Sequence, residues 1–431
     1  MPSILIATFP AHGHVTPLLT VAESLVARGD RVRFLTGARF AGVVEATGAQ
    51  HLPLPAEADF DDRQDMRELF PERTALKGVQ SLAFDVENVF VRPARAQYEA
   101  VMAAHAAQRV DVVLADPALV GAALLLGHPI GARPHVVVCG VVPLPIASRD
   151  TAPYGMGLTP LRGPVGRLRN AVLSAVVART VFPGAQRLAD QVHRQVHGTP
   201  LPFPVLDWPR HADAIVQFTV PEFEYPRSDA PAALSFAGPI SATGSRAALP
   251  PWWGDLDGSR TIVHVTQGTI ANRDYRQVIA PTFEAFAGDD DVLIVASTGG
   301  RPLDSLPPLP PNARAAPYLP YDQLLPMTDV YVTNGGYGGV QYALRYGVPI
   351  VTSSGQEDKP EVAGRVSWSG VGRRIRSETP TAAAVRKAVR AVLDDPTYRD
   401  RAQQVSRSMA RASGLTGLTR VVDQLSTRPI P

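Results

Sequence analysis

The chain has 431 residues, enough for two ordinary α/β domains, of which 45% are apolar and 19% charged. A formal charge of +2 with scattered arginines supplies no basic block for nucleic acid, and one cysteine, Cys139, excludes a disulfide framework and a multi-thiolate metal site. The opening MPSILIATFP reads as a strand rather than a charged leader, and the longest apolar tract, residues 118–126, is too short to span a bilayer, so a cytoplasmic setting is expected.

In chain order, residues 4–8 form a nearly continuous apolar run, as in a strand buried on both faces. Residues 17–28 read as a helix with Leu18, Leu19, Val21, Ala22 and Leu25 inward, closed by Gly29. Residues 31–35, 111–114 and 135–138 read as further strands separated by helical patterns, the βαβ signature of a parallel sheet. Residues 55–100 and 145–210 break the alternation and read as insertions that line a site. Within the second, Arg167, Arg169 and Arg179 stand beside Leu168, Val172, Leu173 and Val176, as in a segment lying against a hydrophobic acceptor or, in second place, a membrane surface. A second α/β set places strands at 261–265, 292–296, 313–316, 330–333 and 350–352, followed by helices at 382–393, 396–412 and 416–425. The implied division is a domain over 1–235, a linker over 236–258, a second domain over 259–408, and a C-terminal helix over 409–431 that packs back on the first domain.

Residues 330–355, VYVTNGGYGGVQYALRYGVPIVTSSG, carry the most information. They read as strand, glycine-rich turn, short helix and strand. Such a turn leaves backbone N–H groups free at the positive end of a helix, where phosphate binds. The pattern is neither the dinucleotide fingerprint nor a Walker loop. Two Rossmann-like halves would hold a ligand in the cleft between their strand C-termini.

Taken together, FPAHGHVTPLL at residues 9–19, TQGT at 266–269, PYLPYDQLLP at 317–326 and NGG…GVP…ED at 334–358 resemble the family 1 glycosyltransferases. These include bacterial macrolide glycosyltransferases and plant and animal UDP-glycosyltransferases. The resemblance covers nearly the whole chain. It implies an α/β protein of GT-B fold, two Rossmann-like domains facing each other across a cleft. It also implies a nucleotide-diphospho-sugar donor, UDP- or TDP-linked, a lipophilic small-molecule acceptor, and metal-independent inverting transfer with no cofactor.

Residue by residue, the family's catalytic base falls at His14 of Gly13-His14-Val15-Thr16-Pro17, and its orienting acid at Asp116. A near-neutral His can take the proton of an acceptor hydroxyl too weakly acidic to attack unaided. An isolated pair of this kind is more simply a helix-capping loop residue and a turn residue, with His12 the nearby competitor. On the donor side the resemblance implies Gly268 and Thr269 at the distal phosphate. It places Tyr318 and Leu319 at the nucleobase, Asn334, Gly335, Gly336, Gly338 and Gly339 at the diphosphate, and Asp358 and Lys359 at the sugar.

Four positions depart from the family pattern. Asn334 replaces a His, Gly339 a Thr, Tyr342 the ribose-binding Glu, and Lys359 the Gln of a D-Q pair. Lys359 supplies the lost positive charge, meets an acidic group on the sugar, or is a solvated surface lysine, the last slightly favoured. Two other readings stay open, a non-catalytic glycosyltransferase-like auxiliary protein and a same-fold sugar-nucleotide epimerase. Nucleic-acid binding and stable membrane insertion are not expected, and a homodimer stays open.

Overall fold

The computed structural model describes residues 1–64, 66–76, 78–240, 247–269, 272–355 and 357–427. Part of the expected linker and of the C-terminal segment lies outside the described residues. Two parallel sheets are built in succession. The first contains β1 Ser3–Ala7, β2 Arg31–Thr36, β3 Gln50–Pro53, β4 Val112–Ala115, β5 His135–Gly140, β6 Ala214–Gln217 and β7 Leu234–Phe236, in the order β3-β2-β1-β4-β5-β6-β7. The second contains β8 Thr261–Thr266, β9 Val292–Ser297, β10 Ala313–Ala316, β11 Val330–Thr333, β12 Ile350–Ser353 and β13 Gly372–Ile375, in the order β10-β9-β8-β11-β12-β13.

Each order reverses once. In the first sheet the reversal lies between β1 and β4, and in the second between β8 and β11. At such a switch point the following connections leave for opposite faces and open a crevice at the strand C-termini. Residues just after β1, β4, β8 and β11 are therefore delivered to two crevices by topology alone. Those are the positions of His14, Asp116, Gly268 and Asn334.

Central strands are fully buried, as their unbroken apolar runs require: β1 packs Ile4 and Ile6 to one side and Leu5 and Ala7 to the other. The first helix, His12–Ala27, begins five residues before the expected start, so His14 sits in its first turn rather than in a preceding loop. Pro17 is accommodated inside it.

The halves are tied at their base. Arg365, on helix Lys359–Ser369, is fully buried. Its guanidinium donates to Glu224 Oε2 at 3.0 Å, to Glu224 Oε1 at 2.6 Å and to Glu361 Oε2 at 2.8 Å. Glu361 Oε1 accepts the backbone N–H groups of Gly155 at 3.0 Å and Gly157 at 2.8 Å, both from the first half. Thr219 and Gln341 add a second buried link at 3.0 Å. The last helix, Gly414–Ser426, returns to the first sheet and places Leu418, Val422 and Leu425 in its apolar cluster.

Candidate active site

In the first half, His14 Nδ1 lies 3.0 Å from Asp116 Oδ1. Asp116 is fully buried and held by two backbone groups, Phe9 N–H to Oδ2 at 2.7 Å and Ala118 N–H to Oδ1 at 2.6 Å. A carboxylate so fixed assigns the Nδ1–H tautomer to His14 and leaves Nε2 as the proton acceptor. Burial pushes the His14 pKa down, but the Asp116 charge and hydrogen bond, with Asp358 and Glu357, outweigh it, so the net shift is upward. The His12 ring lies 3.4 Å from the Thr16 hydroxyl, and burial lowers its pKa against the nearby Asp62 charge. Phe9 packs edge-on to His14 at 5.6 Å and against Phe60 and Phe90 at 5.1 Å each, giving the base an aromatic wall.

The second half presents backbone. Gly336 caps helix Tyr337–Arg345 without a side-chain cap, so the first-turn N–H groups of Tyr337, Gly338 and Gly339 lack intrahelical partners. A Cβ at Gly336 or Gly338 would meet nothing within 4 Å, so these glycines border open space. Gly268, at φ +71°, borders open space as well, and Thr269 beside it is exposed. Gly335 takes φ +97°, a left-handed turn that disfavours any side chain. Gly339 differs from its neighbours, because a Cβ there would lie 2.5 Å from the buried Tyr331 hydroxyl. A threonine at 339 has no room beside that hydroxyl, so the two residue choices go together.

Asn334 is 2% exposed, and its amide donates to Gln277 Oε1 at 3.0 Å and to Gln267 O at 3.3 Å. Asn334 thus braces the turn after β11 against the turn after β8. Gln267 in turn accepts the N–H groups of Val278 at 3.3 Å and Ile279 at 3.2 Å. Tyr318 is 53% exposed at the rim, with its hydroxyl against Gly300. The Leu319 side chain points the other way, into the cluster with Leu256, Ile262 and Leu293, so only its backbone is available to a ligand. Tyr342 packs edge-on to Tyr321 at 5.9 Å.

The reading of Lys359 as a solvated surface residue is overturned. Lys359 is 6% exposed and its stem threads between two glycine turns: a Cβ at Gly355 would fall 2.9 Å from its Cδ, and one at Gly335 3.4 Å from its Cβ. Its ammonium donates to Glu357 Oε2 at 2.6 Å. Glu357 adopts φ +62°, the one non-glycine residue with positive φ among the described residues. Burial and the Glu357 charge raise the Asp358 pKa to about 6. Sequence reasoning placed Glu357 within the ED motif but gave it no role. Its signal is the backbone turn, which its side-chain type does not announce. Among the described residues, no group of three or more His, Cys, Asp or Glu side chains is suited to a metal ion.

Two facing Rossmann-like halves, one carrying a His–Asp pair and the other a glycine turn at a helix N-terminus, define a GT-B glycosyltransferase architecture. The crystal structure of CalG4, the calicheamicin glycosyltransferase, superimposes with a TM-score of 0.76 at 22% identity over 100% of both chains. The spinosyn rhamnosyltransferase SpnG complexed with thymidine diphosphate gives 0.69 at 18% identity over 98% of this chain and all of that one. In sequence, 4'-demethylrebeccamycin synthase of Lentzea aerocolonigenes is 39% identical over 427 residues, 98% of this chain and 99% of that protein. UDP-glycosyltransferase 2 of Phaeomoniella chlamydospora is 34% identical over 442 residues, 99% and 96% of the two chains. Residues 283–424 match the erythromycin biosynthesis protein CIII-like C-terminal domain. The chain belongs to the family 1 GT-B glycosyltransferases.

Proposed function

We propose that the protein transfers a sugar, with inversion and without a metal ion, from a UDP- or TDP-linked donor to a hydroxyl of a lipophilic small molecule. The observation that carries this reading is the 3.0 Å His14–Asp116 hydrogen bond at one switch point, facing a glycine turn at the other. His14 Nε2 takes the acceptor proton as the acceptor oxygen bonds to the anomeric carbon. The bond from that carbon to the diphosphate oxygen breaks in the same displacement, and the nucleoside diphosphate leaves. Asp116 stabilises the imidazolium that forms. The N–H groups of residues 337–339 and the helix dipole offset charge on the leaving diphosphate. The Lys359 stem packs against Gly335, and its ammonium is paired with Glu357. The aromatic wall of Phe9, Phe60 and Phe90 suits an apolar acceptor.

The experiment is a thermal-shift screen of UDP-, TDP- and GDP-sugars, followed by turnover with the stabilising donor in excess EDTA. A ligand that binds only the native state raises apparent stability by mass action. Stabilisation by a UDP- or TDP-sugar and unchanged turnover in EDTA are expected. Turnover lost in EDTA and restored by Mg²⁺ would refute the metal-independent mechanism.

A further inference from the structure

Residues 151–189 contain five arginines and no Asp or Glu. Helix Gly163–Thr180 lies within them and is anchored through Gly166 and Asn170, both buried, with Asn170 donating to Arg149 O at 3.0 Å. Val165, Leu168, Val172 and Val176 are 75%, 67%, 54% and 50% exposed. At about 100° per residue they share an arc of about 80°, centred about 140° from the anchored pair. An ordinary surface helix turns its apolar stripe to the core and its polar face to water; this one keeps Leu173 and Val177 half-buried on its anchored side and also turns four apolar residues to water. Leu161, 48% exposed, extends the stripe. Arg162 and Arg179 border it, both exposed and without an ion pair among the described residues, whereas Arg167 is tied to Asp150 at 3.0 Å.

Charge selects the occupant. A two-fold contact between copies of the chain would set this positive stripe against itself. A bilayer surface with anionic head groups satisfies both the apolar residues and the arginines. We propose that helix Gly163–Thr180 seats the protein on an anionic lipid surface, lying in the interface without crossing it; no helix among the described residues is long and apolar enough to span. This docking does not depend on the reaction proposed above, and it would bring the cleft to acceptors that partition into lipid.

The test is co-sedimentation of the full chain with phosphatidylcholine vesicles, with and without phosphatidylglycerol. Binding to the anionic vesicles, weakened by salt, is expected. The L168E/V172E and R162E/R179E variants should each bind those vesicles at least about ten-fold more weakly. Both should keep wild-type turnover on a water-soluble hydroxyl acceptor. Equal binding to both lipid mixtures, or binding indifferent to either variant, would overturn the proposal. So would loss of turnover on the soluble acceptor with vesicle binding intact, which would assign the stripe to the acceptor. Self-association abolished by L168E/V172E, without vesicle binding, would assign it to a second copy.

Discussion

The two halves share a topology and use it differently. At the β1/β4 switch point the first half presents side chains, a histidine and the buried carboxylate that orients it. At the β8/β11 switch point the second half presents backbone, with glycines bordering open space. A proton must move at one atom, so the first site depends on one residue type at one place. In the proposed reaction diphosphate charge is spread over many oxygens and would be met by peptide groups that most residues can supply, provided the turn geometry survives. That contrast explains why the departures from the family pattern fall at Asn334, Gly339, Tyr342 and Lys359, all in the second half, while His14 and Asp116 are intact.

Breaking the side-chain half should have the largest effect. His14→Ala is expected to lower kcat by about 10²–10⁴ while leaving donor affinity, read by calorimetry, unchanged. Asp116→Asn should cost less. Next comes the join between the halves. Arg365→Leu leaves Glu361 buried without its cation and Glu224 with Arg227 alone, at 3.0 Å, and should destabilise the fold by about 3–5 kcal/mol in urea unfolding.

The backbone half is probed by two neighbouring glycines. Gly339→Thr should cost about 1–3 kcal/mol through collision with Tyr331, relieved in the Gly339→Thr/Tyr331→Phe double variant. Gly338→Ala, facing open space, should leave stability unchanged or raise it by up to about 1 kcal/mol. Equal costs at 338 and 339 would erase the distinction drawn between them. A pH-dependent effect is expected at Asp358. A carboxyl whose folded pKa is raised to about 6 from an ordinary value of 3.8 favours the fold at low pH. That contribution fades as pH rises through the interval and is constant above it. Asp358→Asn should therefore gain on the wild type between about pH 4 and 6, and hold a constant margin at higher pH.

Much of this was legible before the structure, and the exceptions have physical causes. Strands with unbroken apolar runs, such as residues 292–296 and 330–333, stand out because both of their faces are buried. Edge strands β3 and β13 did not, since QHLP and GRRI are only half-covered and carry polar residues. Strands β6 and β7 are short and follow a proline-rich segment. The His14–Asp116 pair was legible through the family motifs the chain resembles, and the structure brings the two side chains to 3.0 Å. Lys359 was misjudged because a lysine's burial is decided by the glycine turns it threads between. The Gly339–Tyr331 dependence was invisible because it links two elements by contact rather than by spacing.

The central claim is that His14 removes a proton. Its most direct test compares wild type and His14→Ala on two acceptors, an aliphatic alcohol and a nitrophenol already ionised at the assay pH. A general base is needed only where a proton must be taken. The loss on the order of 10²–10⁴ seen with the alcohol should shrink to about ten-fold or less with the nitrophenol. An equal loss with both acceptors would contradict the account and reduce His14 to a residue that shapes the pocket.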